Sequence, residues 1–199
     1  MTRFEHSTLK RELRYEGPVF SVHTDEITMS GGGTAHRDVV LNKNAVGVAA
    51  LDEVGRIVLI KQYRHPVGRH LWELPAGLLD VAGEDPQVAA ARELGEEADL
   101  RAARWDLLVD LHTSPGFSAE TIRIYLARDL SPVPDAERHT REEEEADIEI
   151  AWVELDEAVA MILRGEITNA AAVGGIFAAA RARDDGWATL RPAETPTLG

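Results

Sequence analysis

The stretch Gly77-Leu78-Leu79-Asp80-Val81-Ala82-Gly83-Glu84, followed after seven residues by Arg92-Glu93-Leu94-Gly95-Glu96-Glu97-Ala98-Asp99-Leu100, decides how the rest of the chain is read. Asp85 and Pro86 form a helix start, an N-cap acceptor followed by a proline at the first helical position, and the alanine-rich run to Ala98 favours helix strongly. Apolar Val88, Ala91, Leu94 and Ala98 give that helix a packing face. At about 3.6 residues per turn, Glu93 and Glu97 stack one turn apart and Glu96 lies beside them, so three carboxylates share one stripe. Like charges at that spacing repel by about 0.2–0.5 kcal/mol per pair in water, and a divalent cation reverses the sign. Mg2+ takes oxygen donors and binds through one or two carboxylates plus substrate phosphates, which suits the stripe. Arg92 is placed to orient one of the glutamates. On composition alone, an acidic stripe also reads as a solvated helix face. The wider pattern has to decide.

Outward from the helix, two apolar runs, 45–51 and 57–63, flank the turn Asp52-Glu53-Val54-Gly55-Arg56 and predict a hairpin in the main sheet. Residues 19–27 and 35–41 flank Ser30-Gly31-Gly32-Gly33 and predict a separate hairpin or meander near the N-terminus. No Lys-Ser/Thr pair follows the glycines, which makes them a turn and not a phosphate loop. Later strands are expected near 105–113, 121–127 and 148–154, and helices near 156–164 and 169–183. The residue pattern predicts an α/β (α+β) chain with helices packed on a mixed sheet. The expected organisation is a meander over 1–43, a main domain over 44–185 and a flexible tail over 186–199.

Composition narrows the function. The 199 residues contain no cysteine, so thiolate zinc sites and disulfides are excluded, and the seven histidines show no metal-ligand spacing. Any metal must be held by oxygen. A formal charge of −14 argues against nucleic acid or an anionic membrane surface as partner. The polar opening MTRFEHSTLKRELRYEGP has no apolar signal region, and a cytoplasmic location is the expectation. Ser114, His112 and Asp110 share a short segment, but nothing around them resembles a nucleophile elbow.

Glu84, seven residues, then Arg92-Glu93-Leu94-x-Glu96-Glu97 resembles the Nudix box, G-x5-E-x7-R-E-U-x-E-E-x-G-U with U aliphatic. There are two departures: six residues separate Gly77 from Glu84, and Asp99 stands where the box has glycine. The extra residue falls in the loop before the helix. Position 99 should have positive φ, which Asp tolerates better than most side chains. Pro115, sixteen residues beyond Asp99, resembles the mark of the ADP-ribose pyrophosphatase subfamily. The likeness extends to His36-Arg37-Asp38-Val39-Val40, Gln62-Tyr63-Arg64, Leu71-Trp72-Glu73-Leu74-Pro75-Ala76-Gly77 and Gly165-Glu166-Ile167.

The resemblance implies a Nudix fold, a mixed sheet sandwiched between helices, with the N-terminal antiparallel β-meander added. It implies Mg2+-dependent hydrolysis of ADP-ribose to AMP and ribose 5-phosphate, with Mn2+ as a substitute. The alternatives are another nucleoside diphosphate sugar or dinucleotide as substrate, or a non-catalytic nucleotide-sugar sensor; the intact box argues against the sensor. By resemblance, Glu93 and Glu97 are the central metal ligands, with Glu84, Glu96 and the Ala76 carbonyl in support. Arg64 contacts phosphate, Glu73 lies near the adenosine or the metals, and Pro115 marks the substrate site. Arg37 and Asp38 reach the site of a second subunit in a homodimer with swapped N-terminal elements. The general base falls in the acidic run 142–145, with Glu144 first and Glu142 next; like-charged neighbours there raise the basicity a carboxylate base needs.

Overall fold

The computed structural model describes residues 5–141 and 147–197. The chain divides into two compact units, one formed by residues up to Asn44 together with His112–Thr121, the other by Ala45–Leu111 with Ile122 onward.

The first unit is a three-stranded antiparallel sheet of β1 (Thr8–Glu16), β2 (Phe20–Thr28) and β3 (Thr34–Asn42), with β2 central. The glycine run turns the second hairpin: Gly32 and Gly33 have φ of 85° and 77°, and the Met29 amide donates to the Gly33 carbonyl. Only glycine enters that region without cost. The sequence reading did not single out β1, whose residues are almost all exposed and so carry no inward apolar alternation. Residues 112–121 join this unit and not the main domain, because the Val40 amide donates to Phe117 O and the Ala119 amide to Val40 O. Arg11 grips the nearly buried Asp25 with two hydrogen bonds of 2.7 and 2.6 Å across β1 and β2.

The second unit contains β4 (Ala45–Ala50), β5 (Arg56–Arg64), β6 (Arg69–Glu73), β7 (Ala76–Leu78), α1 (Pro86–Ala98), β8 (Leu100–His112), β9 (Thr121–Pro132), β10 (Glu149–Glu154), α2 (Leu155–Leu163), α3 (Ala170–Asp184) and β11 (Arg191–Pro192). One sheet runs β11-β8-β9-β4-β7 and is mixed, since β4 pairs parallel to β9 and antiparallel to β7. The other is β10-β5-β6, antiparallel throughout. The expected hairpin of 45–51 with 57–63 therefore does not form. Its arms meet only at the Leu51–Ile57 bridge and then part, each becoming an interior strand of its own sheet. Their composition permits this, for both are apolar on both faces and buried along most of their length.

Strand parity fixes the layers, because alternate side chains leave opposite faces of a sheet. Val46, Val48, Ala50, Val58 and Tyr125 pack with Ala89, Ala90 and Leu94 of α1. Ala49, Leu51, Ile57, Leu59, Ile124 and Leu126 pack with Leu155, Ala158, Ala172, Ile176 and Ala179 of α2 and α3. The sheets of this unit thus lie between α1 and the α2–α3 pair, the sandwich expected.

Among the described residues, 187–196 pack on the second unit. Trp187 and Leu190 pack on the α2–α3 side, Arg191 pairs with Leu107 of β8, and Ala193 is buried. Arg123, 5% exposed, supplies the physical reason. Its guanidinium donates to Asp110 Oδ1 at 2.7 Å, to Thr195 O at 2.6 Å and to Pro196 O at 2.9 Å. A buried guanidinium needs all its acceptors, and carbonyls of the segment that follows β11 provide two.

Removing residues 187–199 is expected to lower stability by at least about 2 kcal/mol in a urea titration, since buried donors are left unpaired and Trp187 is lost from its packing. An unchanged midpoint would show that the segment contributes nothing.

Candidate active site

α1 begins as its sequence dictates: an Asp85 carboxylate oxygen accepts from the Gln87 amide at 2.8 Å and Pro86 opens the first turn. It ends at Asp99, φ 55° and ψ 34°, whose amide donates to Leu94 O, the left-handed cap expected at that position. The buried face differs from the apolar reading. Val88 is exposed and Ala91 only half-buried, while Ala89, Ala90, Glu93, Leu94, Glu97 and Ala98 face the sheet. Two i, i+4 rows account for this. Small alanines let the helix approach closely, and the approach carries two glutamates inward with it.

Glu93 is 8% and Glu97 4% exposed, which rules out a solvated acidic face for these two. Glu97 accepts a 2.8 Å hydrogen bond from the Ala76 amide of β7. The Glu93 carboxylate occupies the space where a Cβ on Gly77 would sit. A side chain at residue 77 would therefore displace the Glu93 carboxylate, a close approach that its place in the motif does not by itself explain. Glu96, on the outer side, remains half-buried.

Arg92 holds three of the four glutamates at once. It donates to Glu93 Oε1 at 2.7 Å, to Glu96 Oε2 at 3.2 Å, and through Nε and Nη2 to the two oxygens of Glu84 at 3.3 and 3.2 Å. Its pKa is raised above the ordinary guanidinium value, first by the hydrogen bond with Glu84 and further by Glu93 and Glu96. The sequence reading assigned it one glutamate.

The donors here are all oxygen, and they suit a hard divalent cation. A space kept clear of any Cβ beside Gly77 brings Glu93 against β7, next to the strand residue whose amide Glu97 binds. As placed, no three acidic or histidine side chains among the described residues converge on one point. A carboxylate has lone pairs enough to keep a guanidinium on one edge and meet a cation on another.

On the neighbouring hairpin of β5 and β6, Arg64 forms a fork with Glu73, Nε to Oε1 at 3.0 Å and Nη2 to Oε2 at 2.7 Å. Glu73 is buried and the Arg64 side chain partly exposed. A cavity of about 930 Å3 opens beside α1, lined by Arg92, Glu96, Arg101, Arg138 and His139 among others. Its basic members offset the acidity of the chain at one place, and its volume suits a small ligand.

Three further sequence-predicted residues, Arg37, Asp38 and Pro115, belong to the first unit. Arg37 and Asp38 are exposed on β3 in the first unit, where Arg37 donates to His36 O and Asp38 accepts from Thr24 Oγ1 at 2.7 Å. Pro115, also in that unit, lies in a turn closed by hydrogen bonds from the Phe117 and Ser118 amides to Ser114 O. Glu142 and Glu144 lie outside the described residues. Sequence reasoning missed Arg141, which reaches α1 and has no motif to announce it.

A NUDIX domain model matches residues 41–173. The chain is 46% identical over 195 residues to the ADP-ribose pyrophosphatase of Mycobacterium tuberculosis, covering 98% of this chain and 92% of that one. It is 35% identical over 170 residues to the methanol dehydrogenase activator of Bacillus methanolicus, covering 85% and 90% respectively. A solved crystal structure of an ADP compounds hydrolase superposes with a TM-score of 0.80 at 21% identity, over 94% of this chain and 98% of the other, a likeness of fold.

Gly77→Ala is expected to push the Glu93 carboxylate out of its place while β7 keeps its backbone. Mg2+ affinity measured by calorimetry should fall at least about tenfold, with a stability change under about 1 kcal/mol. Affinity equal to the parent's would mean the close approach has no role in ion binding.

Proposed function

The chain belongs to the Nudix family and is a hydrolase of it, and on that premise we propose that it cleaves the pyrophosphate of ADP-ribose to AMP and ribose 5-phosphate with Mg2+, or with Mn2+ in its place. The observation that carries the reading is the pair of buried carboxylates, Glu93 and Glu97, seated against Gly77 and Ala76. Acidic groups withdrawn from water at such a place favour a divalent partner. The substrate comes from the near full-length similarity to a relative named ADP-ribose pyrophosphatase.

In this reading Glu93, Glu97 and the Ala76 carbonyl hold the metal, and Glu84 and Glu96 complete the donor set. Divalent ions, when bound, neutralise the diphosphate and activate a water for attack on phosphorus. Arg92 keeps Glu84, Glu93 and Glu96 oriented. Arg64, steadied by Glu73, contacts a phosphate oxygen. Glu144, or Glu142 beside it, takes the proton from the attacking water. Pro115 belongs to the substrate site, and Arg37 and Asp38 serve the site of a second copy.

A homodimer with exchanged N-terminal elements is supported by the exposed Leu9, Leu13, Tyr15, Val19 and Phe20 of the first unit, an apolar set that a second copy would cover. The charge of −14 supports a small-molecule substrate, with neither nucleic acid nor membrane as partner. No helix among the described residues is long and apolar enough to cross a membrane. We place the protein in the cytoplasm.

The test is a panel of ADP-ribose, other ADP-sugars, a GDP-sugar and a dinucleotide with Mg2+, scored for mononucleotide release. ADP-ribose should give the highest kcat/KM, and preference for another member would reassign the substrate. Glu93→Gln is expected to lower kcat by about three orders of magnitude with the fold intact. Near-parental turnover would remove Glu93 from the mechanism. Saturating Mg2+ should raise the melting temperature of the parent by roughly 5–10 °C, and of Glu93→Gln by much less.

A further inference from the structure

Asp99 stands where the Nudix box has glycine, and it bears two costs a glycine avoids. Its backbone is left-handed, at φ 55°, and its Oδ1 is buried with no hydrogen-bond partner among the described residues. What the side chain gains is Arg141. The Arg141 guanidinium donates through Nη2 to Asp99 Oδ2 at 2.7 Å and through Nε to Glu96 O, a carbonyl of the last turn of α1, at 2.9 Å. At the other end of the same segment, the Val133 amide donates to Asp99 O at 2.9 Å. Residue 99 thus pins both ends of the run Val133–Arg141, one through its carbonyl and one through its carboxylate. Glycine in its place would keep the first tie and lose the second.

We propose that Asp99 and Arg141 are a positioning pair, a strut that fixes the run Val133–Arg141, which lines the cavity beside α1 together with Arg92 and Glu96, to the C-terminal turn of the carboxylate helix and so holds that wall of the site in place. The proposal rests on the hydrolase reading above for the site, and on the geometry alone for the strut. Arg141 binds a backbone carbonyl of α1 and the Asp99 carboxylate, neither of them a proposed metal-binding oxygen. It acts through the residues it anchors. The pair converts an open loop, whose end would sample many positions, into one closed at both ends.

Asp99→Gly restores the family residue and is suited to the same left-handed backbone. The melting temperature should stay within about 3 °C of the parent, while kcat falls about ten- to a hundredfold and KM changes by less than about threefold. Asp99→Asn, which accepts one hydrogen bond from Arg141 and tolerates the same φ, should recover part of the loss. Arg141→Gln should resemble Asp99→Gly, and the double variant should be no worse than either single one. In the metal-free protein, amide exchange across Val133–Arg141 should quicken in Asp99→Gly. Parental kcat in Asp99→Gly, additive losses in the double variant, or unchanged exchange would each overturn the strut. Absence of ADP-ribose hydrolysis in the parent would overturn the substrate reading instead, and the exchange measurement would still read the strut.

Discussion

Two carboxylates withdrawn from water, Glu93 and Glu97, set the terms for the rest of the second unit. An ionised carboxylate in an interior is unfavourable by several kcal/mol unless it is paired and hydrogen-bonded. Every neighbouring choice answers that demand. Gly77 vacates the volume that the Glu93 carboxylate fills, the Ala76 amide donates to Glu97, and Arg92 spreads its donors over Glu84, Glu93 and Glu96. One guanidinium among four carboxylates leaves a formal excess of negative charge, the electrostatic condition a divalent ion relieves. A helix of the same length with its acids turned outward would be as stable and chemically idle.

The sheets provide the platform for that burial. β7 lies at the edge of the mixed sheet, paired to β4 through Val46 and Gly77, so it is fixed on one side and presents its other side to α1. α1 can approach because the residues between its glutamates and the sheet are alanines, Ala89 and Ala90. The opposite face carries α2 and α3 over a larger aliphatic cluster. The two faces differ in purpose as well as composition: one is packed for stability, the other for close backbone approach.

Arginines recur as organisers of non-local structure. Arg123 collects Asp110 and two carbonyls of the final segment, which is how a sequence with the composition of a tail becomes part of the sheet unit. Arg141 ties a later loop to the end of α1. A planar guanidinium with five donors can join elements that share no apolar surface, provided each donor finds an acceptor. These ties span 13 to 73 residues of sequence and leave no local pattern by which they could be anticipated.

Local chemistry alone determined α1 from cap to cap, since Asp85, Pro86 and Asp99 act within one turn of the helix ends and the 3.6-residue period places Glu93 and Glu97 together whatever surrounds them. The glycine turn before β3 and the helices near 155 and 170 were legible for the same reason. Tertiary structure decided which side of α1 faces the sheet, because Val88 and Ala91 are as apolar as the alanines that won and only the fit against β4 and β7 discriminates. It also decided that β4 and β5 part instead of pairing. Both are apolar on both faces, so the turn between them cannot specify a partner, and the strands each found, β9 and β7 for one, β10 and β6 for the other, are remote in the chain or chosen by packing.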